Sequence, residues 1–107
     1  MKTAQDIFAI DDRPTFPVEV PEWGLTGEES AQVRELTPLQ MARISESCDF
    51  DGKRDEAKFM ARVIIEGCVM PQFGPGDEEK IMGRSNRAAR RLFTAIIAGK
   101  KNEPSKS

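Results

Sequence analysis

The acidic triplet Asp77-Glu78-Glu79 is the densest group of side chains in this chain that could transfer protons or hold a metal ion. Carboxylates do such work with a partner, such as a histidine, a tyrosine or a second acid at a defined spacing. The 107-residue chain has no histidine and no tyrosine. We therefore expect the triplet to stabilise the start of a helix, where the dipole favours negative charge. No catalytic residues are assigned, and the sequence predicts a protein that is not an enzyme.

Two further segments resemble ion-binding loops at first sight. The segment 49–52 has the composition of an EF-hand start, in which glycine stands at loop position six and glutamate at position twelve. Counted from Asp49, those positions hold Arg54 and Met60. The segment 74–76 lacks the Lys-Ser or Lys-Thr sequel of a phosphate-binding loop. Both segments are predicted to be turns, and we expect no metal and no cofactor.

Cysteine content and hydropathy bear on the location of the protein. Cys48 and Cys68 are the two cysteines, and two thiols without a histidine do not complete a zinc site. Residues 1–6 lack the apolar core of a signal peptide, and no apolar run approaches the roughly 18 residues that span a bilayer. We therefore expect a cytoplasmic protein, no membrane contact, and two reduced cysteines that behave as small apolar residues.

Four arginines near the end of the chain are the main candidates for contacting a partner. They are Arg84, Arg87, Arg90 and Arg91, which form a stripe beside the apolar face of the last predicted helix. A solvated helix face is the favoured interpretation, and contact with an acidic protein is the next. Nucleic-acid binding is least favoured, because the chain has a net charge of −2 and no aromatic residues interleave with the arginines.

The charge is also distributed unevenly along the chain. Residues 1–36 hold three basic and eight acidic groups, whereas residues 84–107 hold seven basic and one acidic. The acidic front and the basic end could pair within the fold, between copies in a homo-oligomer, or with other proteins. Trp23, beside Pro21 and Gly24, is the other candidate contact. Packing of this residue on the helices is favoured over its use as an exposed anchor for another protein.

The elements that would position these side chains follow from periodicity and capping signals. Alternating apolar residues predict an edge strand at 16–20, and residues 32–36 could return as its partner. Thr37-Pro38-Leu39-Gln40 has the residues of a capping box and begins a helix that runs to about Ser47. A second helix begins near Arg54 or Asp55, and residues 69–76 are predicted to be loop.

Two more helices complete the predicted order: a short one at 77–82, and a last one that Ser85 caps and Gly99 ends. Apolar residues recur at the same spacing over Phe59–Cys68 and Ala88–Ile97, so these two helices should pack together. We therefore predict a mainly α fold of three to four helices with a short N-terminal β-hairpin. The predicted organisation is an arm at 1–16, one domain at 17–99 and a disordered tail at 100–107.

The order of these elements resembles that of a known family, the tail assembly chaperones of siphophages and related prophages. The segments that carry the resemblance are Val20-Pro21-Glu22-Trp23-Gly24, Val33 through Gln40, Ala61 through Val69, and Ser85 through Phe93. Together they cover residues 18–98. Residues 25–32 depart from the family, because they make the hairpin loop longer than expected.

The resemblance implies a function in the assembly of non-contractile phage tails. A chaperone of this family is expected to bind the tape measure protein, a long apolar helix, and to recruit subunits of the major tail-tube protein. It would offer a shallow apolar groove with a charged rim, and an edge strand could add to a client's sheet. The alternatives are a small nucleic-acid-binding regulator that uses the basic C-terminal helix, and an adaptor or toxin-neutralising protein.

Overall fold

The computed structural model of the chain describes residues 3–8 and 13–99. Part of the predicted arm, residues 1–2 and 9–12, and the predicted tail at 100–107 lie outside the described residues. Over the described part the fold is mainly helical, which confirms the predicted fold class at that level. The helices are α1 (Ala4–Phe8), α2 (Pro38–Cys48), α3 (Glu56–Gly67), α4 (Glu78–Met82) and α5 (Asn86–Ala98). The strands are β1 (Phe16–Val18), β2 (Ala31–Val33), β3 (Asp49–Phe50), β4 (Lys53–Arg54) and β5 (Cys68–Met70).

The predicted hairpin is present as the antiparallel pair of β1 and β2. Phe16 lies opposite Val33, and Val18 lies opposite Ala31. The returning strand begins at Ala31 and ends at Val33, so it is shorter and earlier than the predicted 32–36. Strand β1 lies at the edge of the sheet. Pro17 has no N–H to donate to a neighbouring strand, and an edge strand tolerates this because one of its sides has no neighbour.

A third strand, β5, corrects the prediction that residues 69–76 are all loop. It follows α3 without an intervening turn and pairs antiparallel with β2, which is therefore the central strand. Met70 lies opposite Gln32, and Cys68 lies opposite Val33. The loop prediction was right that the helix ends here, because the chain leaves the helical conformation at Cys68. It missed that the free edge of β2 gives the extended residues a partner.

The helix termini follow their capping signals. In α2 the N–H of Gln40 donates to Oγ1 of Thr37 at 3.1 Å, and the N–H of Thr37 donates to Oε1 of Gln40 at 2.9 Å. This is the predicted capping box. Asp55 caps α3 and Ser85 caps α5, each by accepting from a backbone N–H three residues later. The four helices from α2 to α5 thus begin and end within about two residues of their predicted bounds.

The pairing of α3 with α5 forms the centre of the core, as the two matched stripes predicted. The rings of Phe59 and Phe93 meet edge to face at 5.9 Å between centroids. At the other end of α3, Gly67 lies against the fully buried side chain of Ile96. Strands β1 and β2 also contact α5, so this helix packs against α3, α4 and the sheet. The short helix α1 lies in the predicted arm and buries none of its residues.

Candidate protein-binding site

A shallow groove with a mainly apolar lining lies between α3, α4 and α5. It encloses about 380 Å³ and is called the helical groove below. Its apolar lining consists of Ala57, Met60, Ala61, Ile81, Met82, Ala89 and Phe93. Its polar rim consists of Glu56, Arg84, Asn86 and Arg90. The groove exists because α4 is only five residues long and covers just part of the seam between the two long helices.

Exposure of the lining side chains makes the groove accessible. Met82 keeps 40% of its surface exposed, whereas Met60 and Phe93 are half-buried. Ile97, one turn beyond Phe93 on α5, is 45% exposed and extends the apolar strip along that helix. Flexible methionine side chains adapt their shape to different apolar partners. The arrangement can therefore accept an apolar segment without a preformed, closely fitted pocket.

The two walls of the groove differ in charge. On the α5 side, Arg84 and Arg90 are exposed at the rim. On the α3 side, Glu56 accepts a hydrogen bond from Nε of Arg54 at 2.9 Å, so this acid is already paired. The guanidinium of Arg54 also lies 4.1 Å above the ring of Phe59. One wall is therefore cationic, and the other carries charges that balance each other.

The four arginines of the predicted stripe do not share one role. Arg91 forms an ion pair with Glu22, which lies in the turn that follows β1. This contact joins the acidic front of the chain to the basic last helix within one molecule, one of the three pairings that the charge gradient left open. Arg87 and Arg90 line an open depression along α5 together with the Arg91–Glu22 pair, Asn86 and Thr94.

Trp23 packs within the fold. It is half-buried, and its ring meets Phe73 edge to face at 6.4 Å between centroids. Its remaining surface lines a second opening of about 480 Å³ with Leu25, Pro71, Phe73 and Ile81. Arg84 borders this opening as well as the helical groove. This position agrees with the favoured interpretation of Trp23 as a packing residue. Its use as an anchor for another protein stays a prediction.

Both cysteines are buried as free thiols. Burial raises the pKa of the Cys68 thiol from 9.0 to about 11, an effect that a backbone hydrogen bond from Met70 partly opposes.

Within residues 3–8 and 13–99, no group of three or more acidic or cysteine side chains could hold a metal ion. Asp77 accepts from the N–H of Gly74 at 2.8 Å, and Glu78 lies 2.8 Å from Nε of Arg62, so these two acids of the triplet contact the fold. None of the helices in the described ranges has both the length and the apolar character needed to cross a membrane.

The sequence indicated the arginines, and the resemblance implied an apolar groove with a charged rim, but neither indicated which residues line the groove. The spacing of apolar residues places Met60 on the inner stripe of its helix, and Met82 lies at the end of the predicted short helix at 77–82. Their shared exposure depends on where α4 crosses the other two helices, which spacing along the chain does not reveal. No signal in the sequence marks the exposure of these two methionines.

Comparison of the chain with protein-family models, with curated proteins and with solved structures finds no match. The function of the chain is therefore inferred from the geometry of the site and from the resemblance of residues 18–98 to the chaperone family.

Proposed function

We propose that this chain is a phage tail assembly chaperone, a protein without catalytic activity of its own that acts in the host cytoplasm. It binds apolar helical segments of the tape measure protein and recruits subunits of the tail tube during assembly of a non-contractile tail. The helical groove is the single observation that supports this function. The resemblance of residues 18–98 to the family supplies the identity of the clients.

The physical reasoning starts from what the groove can bind. An amphipathic helix that lays its apolar face into a groove is a common mode of protein recognition. Met60, Met82 and Phe93 offer an apolar floor that is open on one side, and charged residues surround it. A shallow groove binds weakly enough that the client can leave when the growing tube offers it better burial. Reversible protection of an apolar helix is the property that a chaperone needs.

The charge distribution favours a protein client over nucleic acid. Arg91 is neutralised by Glu22 within the fold, which leaves a shorter basic stripe on α5. Nucleic-acid affinity grows with the number of phosphates that cations neutralise, so a short stripe on an acidic chain is a poor footprint. An apolar groove also contributes nothing to binding a phosphate backbone, which requires cations and hydrogen-bond donors.

Co-expression with the tape measure protein encoded nearby tests this function. The soluble fraction of that protein should rise, and a complex should elute from gel filtration. Met82→Glu places a charge in the groove and should abolish the rescue. Leu39→Glu is a matched control, because Leu39 is 59% exposed at the start of α2, outside the groove, and should leave the rescue intact. Failure of the unmodified chain to rescue or to form a complex would contradict the proposal.

A further inference from the structure

We infer that the helical groove selects an amphipathic helix that carries carboxylates beside its apolar stripe, and discriminates against one that carries lysines there. This inference depends on the proposed function for the groove itself, and adds the chemistry of the client segment. It follows from the difference in charge between the two walls of the groove.

The α5 wall presents two guanidinium groups to a bound helix. Arg90 stands three residues before Phe93 and seven before Ile97, so it borders the apolar strip along α5 directly. Arg84, in the connection between α4 and α5, borders the same groove. Among residues 3–8 and 13–99, the guanidinium groups of these two arginines have no ion pair and no hydrogen bond to a protein group, and both residues are exposed. Their charge is therefore available to a partner.

The opposite wall gives no comparable field. Glu56 is the acid on that side, and its pairing with Arg54 makes the local charge balance close to zero. A client lysine would find no unpaired carboxylate there and would meet Arg84 or Arg90 if it lay on the other flank. A client glutamate gains attraction at the α5 wall and little repulsion elsewhere. Placement of like charges together is a common means of excluding wrong partners.

The size of the discrimination follows from the exposure of the rim. An exposed ion pair changes affinity by a factor of about 1.4 to 5. Two pairs, with attraction replaced by repulsion when glutamate is exchanged for lysine, should give about a tenfold preference at low salt. The preference should shrink as ionic strength rises, because the charges remain near solvent.

The test uses three labelled peptides that share one apolar helical stripe and carry glutamate, glutamine or lysine beside it. Fluorescence anisotropy with the full chain should rank them glutamate, glutamine, lysine in decreasing affinity. The double variant Arg84→Glu, Arg90→Glu should reverse that order. Arg43→Glu, which changes an exposed arginine on α2 outside the groove, should preserve it. Circular dichroism of each variant verifies that the fold is intact.

The possible failures are distinguishable from one another. Equal binding of all three peptides, or a glutamate preference that persists in the double variant, would overturn the inference about charge and leave the groove as an apolar site. Absence of binding by every peptide, together with no rescue of the tape measure protein, would overturn both this inference and the proposed function. Loss of the preference in Arg43→Glu would show that net charge, not the rim, is responsible, and would also overturn the inference.

Discussion

Gly67 is the position at which one added methyl group tests the packing of α3 on α5, the contact at the centre of the core. A Cβ atom placed there would lie 2.6, 2.7 and 2.9 Å from Cγ2, Cδ1 and Cγ1 of Ile96. Carbon atoms in favourable contact are about 3.5–4.0 Å apart, so all three approaches are about 1 Å too short. Ile96 is 1% exposed and has no open side to move into. The helices must therefore separate slightly or a rotamer must become strained.

The expected cost can be bounded from these contacts. Overpacking of a close-packed core costs about 1–3 kcal/mol, and the better helix propensity of alanine returns at most about 1 kcal/mol at a position that ends the helix. We expect Gly67→Ala to lower the free energy of unfolding by about 1–2 kcal/mol. For a domain of this size the midpoint of thermal unfolding should fall by about 5–10 °C. Urea titration followed by circular dichroism gives the free energy directly.

Two controls make the result specific to this contact. A Cβ atom at Gly76 would meet nothing within 4 Å, so Gly76→Ala should leave stability unchanged or raise it slightly. Ile96→Ala removes all three overlapping atoms, so the cost of Gly67→Ala should largely vanish in that background. If Gly67→Ala is as stable as the Gly76→Ala variant, or costs the same with and without Ile96, the packing argument is wrong.

Three further predictions concern the cap, the buried thiol and the ion pair. Thr37→Ala removes the hydroxyl that accepts from Gln40 and should cost about 1 kcal/mol in urea unfolding, whereas an unchanged midpoint would contradict the role of the cap. Because burial raises the pKa of Cys68 to about 11, its contribution is complete below pH 9 and declines above it. The free energy of unfolding should fall by about 1.4 kcal/mol per pH unit between about pH 9 and 11, and the same titration of Cys68→Ala should lack that part of the slope. Glu22→Gln breaks the partly exposed pair with Arg91 and should cost less than about 1 kcal/mol, an effect that added salt reduces, and a larger loss would show that the pair does more than a surface contact.

The helices from α2 to α5 were predictable because each carries its own local signals, whereas α1 lies in the segment that was predicted to be an arm. Thr37 and Gln40 form a capping box within four residues, and Ser85 and Gly99 bracket α5 in the same local way. Strand β5 was not predictable on these grounds, because its extended conformation depends on residues such as Gln32, which is 38 positions before Met70. A three-residue strand that directly follows a helix has no room for an alternating pattern of its own.

Small buried residues explain why the core was predicted only in part. Ala61 and Ala95 are 1% and 0% exposed, yet neither belongs to the two predicted stripes. Those stripes consist of Phe59, Met60, Val63, Ile64, Gly67 and Cys68 on one helix, and of Ala88, Ala89, Leu92, Phe93, Ile96 and Ile97 on the other. An alanine is buried when neighbouring backbones approach closely, and the distance between two helices is a property of the assembled fold. The same limitation applies to the groove, whose floor combines residues from three helices.

The division among the arginines shows how position within the fold separates side chains that the sequence groups together. On α5, Arg91 is one residue after Arg90, and a step of one residue turns the side chain about 100° around the helix. That rotation directs Arg91 to Glu22 and the hairpin side, whereas Arg90 stands beside Phe93 at the groove. If Arg91 contributes to stability and Arg90 to client selection, a stripe that looks uniform in sequence has two separate functions. A loss of client preference in Arg90→Glu without a loss of stability, and the converse in Arg91→Ala, is the pattern that this geometry requires.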